Sequence, residues 1–230
     1  MRKFYRRSLI GIICSAAMLV ASVSYATTVL TFEGVGNLAA VNDFYNGGTD
    51  SAGNSGINYG INFSDTSLGV IDSDDGGSGN IANEPSADTV LFFLSGGAAT
   101  MNVAAGFDTG FSFYYSANAN DTFVNVWSGL NSTGTLLATL NLSLNYNDDG
   151  CTGDPTGAYC HWDPIGVSFA GIAHSVDFGG TANYVGFDNV TLGSATAGGG
   201  TPVPEPAALG VFGLGVLLIG LFAGLRRRLD

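Results

Sequence analysis

Between residues 27 and 200 apolar side chains return at every second position over short stretches, and never at helical spacing beyond about one turn. The clearest stretch is 110–117, with Phe111, Phe113 and Tyr115 on one face and Ser112, Tyr114 and Ser116 on the other. In 135–145 the inward set is Leu136, Ala138, Leu140, Leu142 and Leu144; in 57–64 it is Ile57, Tyr59, Ile61 and Phe63. Residues 89–94 are apolar without interruption, which predicts a strand covered on both faces. Further strands are expected at 28–33, 68–71, 98–104, 122–128, 165–169, 174–178 and 184–192, with a long loop over 34–56. Short strands separated by glycine turns predict an all-β ectodomain over 27–192, a β-sandwich, followed by a flexible linker at 193–203.

Two longer apolar runs break this pattern, one at each end. The first follows Arg2, Lys3, Arg6 and Arg7, covers residues 8–23 and closes on Ser24-Tyr25-Ala26. A basic start, an apolar middle and a small-x-small ending predict a secretory signal peptide over 1–26, cut behind Ala26 by signal peptidase. The second run, 207–225, holds no charge and would span about 28 Å as a helix, enough for a transmembrane helix. Before it stand Pro204, Glu205 and Pro206, stiff and extended; behind it Arg226, Arg227 and Arg228 hold that end in the cytoplasm.

Charge narrows the function. All seven Lys and Arg lie in the flanks, so residues 27–201 carry none against seventeen of the nineteen Asp and Glu. Such a surface repels phosphate backbones, which excludes nucleic acid as a partner. Carboxylates without basic partners must be solvated or share cations, and outside the cell calcium is the available one. Of three cysteines, Cys14 leaves with the signal peptide. Cys151 and Cys160 are expected to pair in an oxidising compartment, since zinc would find only His161 nearby.

Pro204-Glu205-Pro206, the apolar span and the arginine cluster, in that order, resemble the PEP-CTERM sorting signal of Gram-negative bacteria that make extracellular polysaccharide. The resemblance implies a partner, the membrane enzyme exosortase, which removes the membrane anchor at 207–225 and releases the protein to the cell surface or extracellular matrix. Residues 30–34 (Leu-Thr-Phe-Glu-Gly) and 185–192 (Val-Gly-Phe-Asp-Asn-Val-Thr-Leu) resemble the first and last strands of jelly-roll carbohydrate-binding modules. That likeness implies a sandwich of jelly-roll type whose end strands pair, with Glu33 and Asp188 ligating a structural calcium. Phe187 and Val190 cannot both face inward without a bulge beside Asp188. The stretch 27–192 is also similar to the ectodomain that recurs in front of this sorting tail, a likeness that implies the fold and leaves function open.

Enzyme signatures are missing. His161 and His174 are the only histidines, and Gly-x-Ser-x-Gly and His-Glu-x-x-His are absent. Most acids sit in turns, and without Lys or Arg the usual oxyanion and phosphate clamps are gone. The domain is therefore expected to be non-catalytic. A second calcium candidate is Asp72, Asp74 and Asp75 ahead of Gly76, although Asn83 occupies the place of the bidentate Glu of an EF-hand. Trp127, Trp162 and Tyr114, with Tyr45 and Tyr59, offer aromatic faces among many Asn and Ser, as binding to exopolysaccharide or another glycan requires. The alternatives are a purely structural surface protein without a small ligand, and a secreted glycan hydrolase or lyase with an unrecognised carboxylate pair.

Overall fold

A computed structural model describes residues 27–118, 122–151 and 157–199. The expected signal peptide over 1–26, the apolar span at 207–225 expected as a transmembrane helix, and Ala26, Pro204, Glu205, Pro206, Arg226, Arg227 and Arg228 lie outside them. Among the described residues there is no helix, and thus none long and apolar enough to cross a membrane.

The described chain forms eleven strands: β1 (Thr28–Leu30), β2 (Ile61–Phe63), β3 (Leu68–Ile71), β4 (Thr89–Phe92), β5 (Ala98–Phe107), β6 (Gly110–Ala117), β7 (Thr122–Trp127), β8 (Leu136–Leu142), β9 (Asp163–Ser168), β10 (Ala173–Gly179) and β11 (Val185–Leu192). They make two antiparallel sheets, β3-β4-β11-β6-β9 with β1 also on β11, and β2-β5-β10-β7-β8. From β4 onward the chain changes sheet at nearly every connection, so the two sheets close on one core as a β-sandwich. Phe111, Phe113, Phe178 and Phe187 fill its centre, each fully buried and in edge-to-face contact with a neighbour.

β11 is the seam of the fold. Its one edge pairs with β6; its other edge is shared, with β4 opposite Phe187 and β1 opposite residues 190–192. Between Asp188 and Thr191 the register against β6 shifts, and Asn189 takes a φ of 48°. This bulge turns both Phe187 and Val190 into the core.

Residues 89–93 are covered on both sides, and Leu94 beyond them is exposed. Leu91 and Phe93 join the main core, while Val90 and Phe92 pack with Val70, Ile81, Tyr159 and Trp162 in a second cluster on the outer face of the six-stranded sheet. The Cys151–Cys160 disulfide, with Cα atoms 5.2 Å apart, secures the segment that carries Tyr159.

Four expectations need correction. The first strand stops at Leu30 rather than residue 33, because Phe32 adopts a φ of 62° to bury its ring. Of the inward set at 57–64 only Ile61 and Phe63 are buried; Ile57 is 65% exposed and Tyr59 41% exposed. The chain turns at Gly60, with φ 70°, so the strand begins after it. In β8 a register shift at the Val126/Trp127 end leaves Leu136 exposed, and Leu144 lies past the strand. Residues 193–199, expected as linker, are tied down: Gly193 N donates to Gly110 O, Ser112 Oγ to Ser194 O and Gly198 N to Thr191 Oγ1.

The loop over 34–56 is ordered by one carboxylate. Asp50, 3% exposed, accepts bonds from the amides of Gly36, Ala52 and Asn54 and from Asn54 Nδ2, all within 3.0 Å. Burial would raise its pKa, but these donors outweigh it and hold the group below the usual carboxylate value. Removing it would leave buried N–H groups unpaired. Asp50→Ala is expected to lower the unfolding free energy by about 2–4 kcal/mol in guanidinium titration. Asp65→Ala, at an exposed position, should stay within about 0.5 kcal/mol of the parent.

Candidate functional site

The two end-strand acids lie within electrostatic reach of each other, but each is held by its own donors, Ser86 for Asp188 and Thr89 for Glu33. Asp188 projects from β11 just where β4 and β1 meet its edge, and it is fully buried. Its Oδ2 accepts from Ser86 N at 2.8 Å, and its Oδ1 from Ser86 Oγ at 2.7 Å and from Asn189 N at 2.6 Å. Ser86 Oγ also lies 3.3 Å from Thr31 O, so Ser86 links the exit of β1, the approach to β4 and the centre of β11. Glu33 Oε1 accepts from Thr89 N at 3.2 Å.

Burial pushes Asp188 up to about 6, against the pull of the Ser86 bonds and with the help of the Glu33 charge. Burial likewise raises Glu33, with Asp88 adding to the rise. Glu84 goes furthest, to about 7, through burial and the nearby charges of Asp72, Asp188 and Asp88. Its Oε1 is buried with no hydrogen-bond partner among the described residues. Of the second calcium candidates Asp72 is buried at 7% exposure, while Asp74 and Asp75 point to solvent. Among the described residues no group of three or more His, Cys, Asp or Glu side chains is placed to hold a metal ion.

The glycan candidates are scattered over both sheets. Trp162 donates its Nε1–H to Ala82 O at 3.0 Å and packs in the second cluster. Tyr114 sits half-buried on β6 near Gly198. Tyr45 is buried, its hydroxyl accepting from Phe32 N, and stacks at 6.1 Å on the half-exposed Tyr59. These two rings and Glu33 line a groove of about 200 Å3 that the candidate residues alone did not suggest as one place.

Trp127 belongs to the most continuous arrangement. On the outer face of the five-stranded sheet, Thr100, Asp177, Asn125 and Thr139 are direct partners on β5, β10, β7 and β8. The neighbouring row, Asn62, Asn102, Ser175 and Trp127, is crossed by the 129–132 turn: Asn102 pairs with Asn131, and the fully buried Ser175 Oγ accepts from Ser132 N and donates to Gly129 O. Phe123 flanks the first row on the far side, above Gly179, where a Cβ would strike its ring. Thr139 Oγ1 donates to Asn125 Oδ1 at 2.8 Å, whereas no described side chain bonds the half-buried Asp177 carboxylate, which burial raises. Sequence alternation placed Asn125 and Trp127 on one face; the partnership with Asp177 and Thr100 is a matter of strand register alone.

The histidines stand apart from these faces. His161 Nε2 lies 3.2 Å from Asp163 Oδ1, and His174 Nδ1 lies 3.2 Å from Val103 O.

Residues 202–228 match the PEP-CTERM protein-sorting motif. The chain is therefore an exported protein that exosortase sorts. No curated protein matches it. Among solved structures, the K2 cleaved adhesin domain of Lys-gingipain is similar at a TM-score of 0.44 and 14% identity, covering 73% of this chain and 99% of its own.

The raised acids give stability a pH dependence. An unfolded Asp or Glu titrates near 4, while Glu84 and Asp188 titrate near 7 and 6 in the fold. Folding takes up protons within that window, so stability falls as pH rises from about 4 to about 7. Below pH 4 Asp50 acts in the opposite sense, because its lowered pKa makes protonation destabilising. The melting temperature should be higher at pH 5 than at pH 8. Glu84→Gln should raise it by about 2–4 °C at pH 8, about 1 kcal/mol once solvent screening of this part-exposed group is discounted, and leave it unchanged at pH 4.

Proposed function

We propose that this protein is a non-catalytic glycan-binding component of the cell surface or exopolysaccharide matrix. What supports the reading is the outer face of the five-stranded sheet. Uncharged hydrogen-bonding side chains and one carboxylate run across its strands there, between the rings of Trp127 and Phe123. Sugars present hydroxyls in a plane and apolar C–H faces above and below it, so an aromatic flank beside amide and hydroxyl groups meets both. The absence of Lys and Arg from residues 27–201 favours a neutral chain over an acidic one. The calcium candidates lie away from this face, on the other sheet, where Asp188 already receives three donors; calcium enters the proposal only as a stabiliser of the acids around Glu33.

The test is binding of the exported protein to the producing cell's own polysaccharide, with calcium and then with chelator. Trp127→Ala is expected to weaken binding about tenfold through the lost ring contact, and Asp177→Asn to change it with little loss of stability. Absence of binding in both conditions would leave a structural surface protein, and reducing ends that grow with time would make it a glycan hydrolase. Sorting is tested separately. Glu205→Ala should leave the protein in the membrane fraction at its uncut mass, and an unchanged mature mass would refute the role of Pro204-Glu205-Pro206.

A further inference from the structure

A cleft of about 220 Å3 opens on the other sheet, above the second cluster. Its floor is Val70, Val90 and Phe92, from β3 and β4. The floor continues onto β11 at Gly186, where a Cβ would come within 3.1 Å of the Trp162 ring. One wall is Tyr159, whose hydroxyl donates to Asn183 O at 3.0 Å and whose neighbour Cys160 carries the disulfide. The main chain fixes that wall further: Tyr159 N donates to Asn80 O, and Ala82 N to Tyr159 O.

Two leucines stand at the rim, and neither is there for packing. Leu94 is 48% exposed, and Leu38 is 46% exposed while holding a φ of 56°. A left-handed backbone is unfavourable for a leucine, and strain of this kind gathers at ligand-binding places. Between them the rim carries the exposed side chains of Ser78, Asn80 and Asn183. Among the described residues no lining side chain is charged. An apolar floor of this size with an amide and hydroxyl rim accepts one small ring, apolar on one side and polar at its edge.

We propose that this cleft binds an uncharged sugar unit bearing a methyl group, as in a 6-deoxyhexose or an acetylated hexose. The methyl lies on Val90 and Phe92 between the two leucines, and the ring hydroxyls meet Asn80 and Asn183. An ionised sugar would lose its hydration to a cleft that offers no counter-charge. The identification of the ligand as a sugar rests on the glycan-binding reading above; the cleft itself is independent of the Trp127 face, which lies on the other sheet.

The chain holds two tryptophans, so Trp127→Phe in the full-length protein leaves Trp162, beside Gly186, as the only indole reporter. Methyl glycosides of fucose, rhamnose and N-acetylglucosamine are titrated against it, with methyl glucoside as the control that lacks the extra methyl. At least one methyl-bearing sugar is expected to shift Trp162 emission saturably, and methyl glucoside is not. Leu38→Asn and Leu94→Asn together should weaken that binding about tenfold through lost apolar contact, and Asn at residue 38 suits the left-handed backbone. The same pair in the parent chain is carried into the polysaccharide assay. Polysaccharide binding without any response to the methyl sugars, and unchanged by the leucine pair, overturns the cleft and leaves the glycan reading standing. Failure to bind both polysaccharide and sugars overturns both. An equal response to methyl glucoside overturns the role of the methyl group.

Discussion

A chain without one Lys or Arg from residue 27 to 201 has only N–H and O–H donors with which to hold an ionised carboxylate in its interior. Asp50 and Asp188 are both held in this way, the first with four donors and the second with three. Hydrogen bonds to an ionised group contribute about 1.5–3 kcal/mol each, roughly twice a neutral one. That is why segments so rich in Gly, Asn and Asp are ordered at all. They have few apolar side chains to bury, and a carboxylate at the centre of each collects the amides that a helix or sheet would otherwise pair. The acidity of the domain is therefore partly architecture and only partly a solvated surface.

The Asp188 hub also explains why β11 can be paired by three strands. β4 and β1 divide its edge, and the place where one gives way to the other would expose main-chain groups in the interior. Ser86 fills that gap from both sides, bonding Asp188 and Thr31 together. The bulge beside it reverses the facing of the last four residues, which lets Val190 and Leu192 join the core that Phe187 already occupies. The cost is electrostatic, since burial and the Glu33 charge both raise Asp188, while burial and the Asp88 charge raise Glu33.

The sandwich was legible wherever alternation was undisturbed. β6 and β3 appear at the bounds their patterns predicted, and the unbroken apolar run at 89–94 marked a strand buried on both faces. The bulge in β11 was legible too, because Phe187 and Val190 cannot share a face in a regular strand. Errors arose where a left-handed residue ended a strand early, at Phe32 and Gly60, or where a register shift turned Leu136 outward. Less legible was anything set by distant partners. Ser86 and Asp188 are 102 residues apart, and Asn102 meets Trp127 only through Ser175 of a third strand. Trp162 looked like an exposed ring because nothing local shows that residues 81–82 lie across it.

The sorting motif and the fold meet at the end of β11. The motif begins at residue 202, three positions beyond Gly199, while Gly193, Ser194 and Gly198 are already bonded to β6 and β11. The main chain at Ser194 and Ala195 lies so near Gly110 and Gly166 that neither could carry a side chain without displacing it. Any cut on the C-terminal side of Gly199 therefore spares these bonds and the β1–β11 pairing beneath them. Processing by exosortase within the motif leaves the domain's own hydrogen bonds up to Gly199 in place. The outer face around Trp127 and Asp177 and the cleft above Phe92 all lie upstream of the motif, on strands and ordered loops that such a cut does not touch.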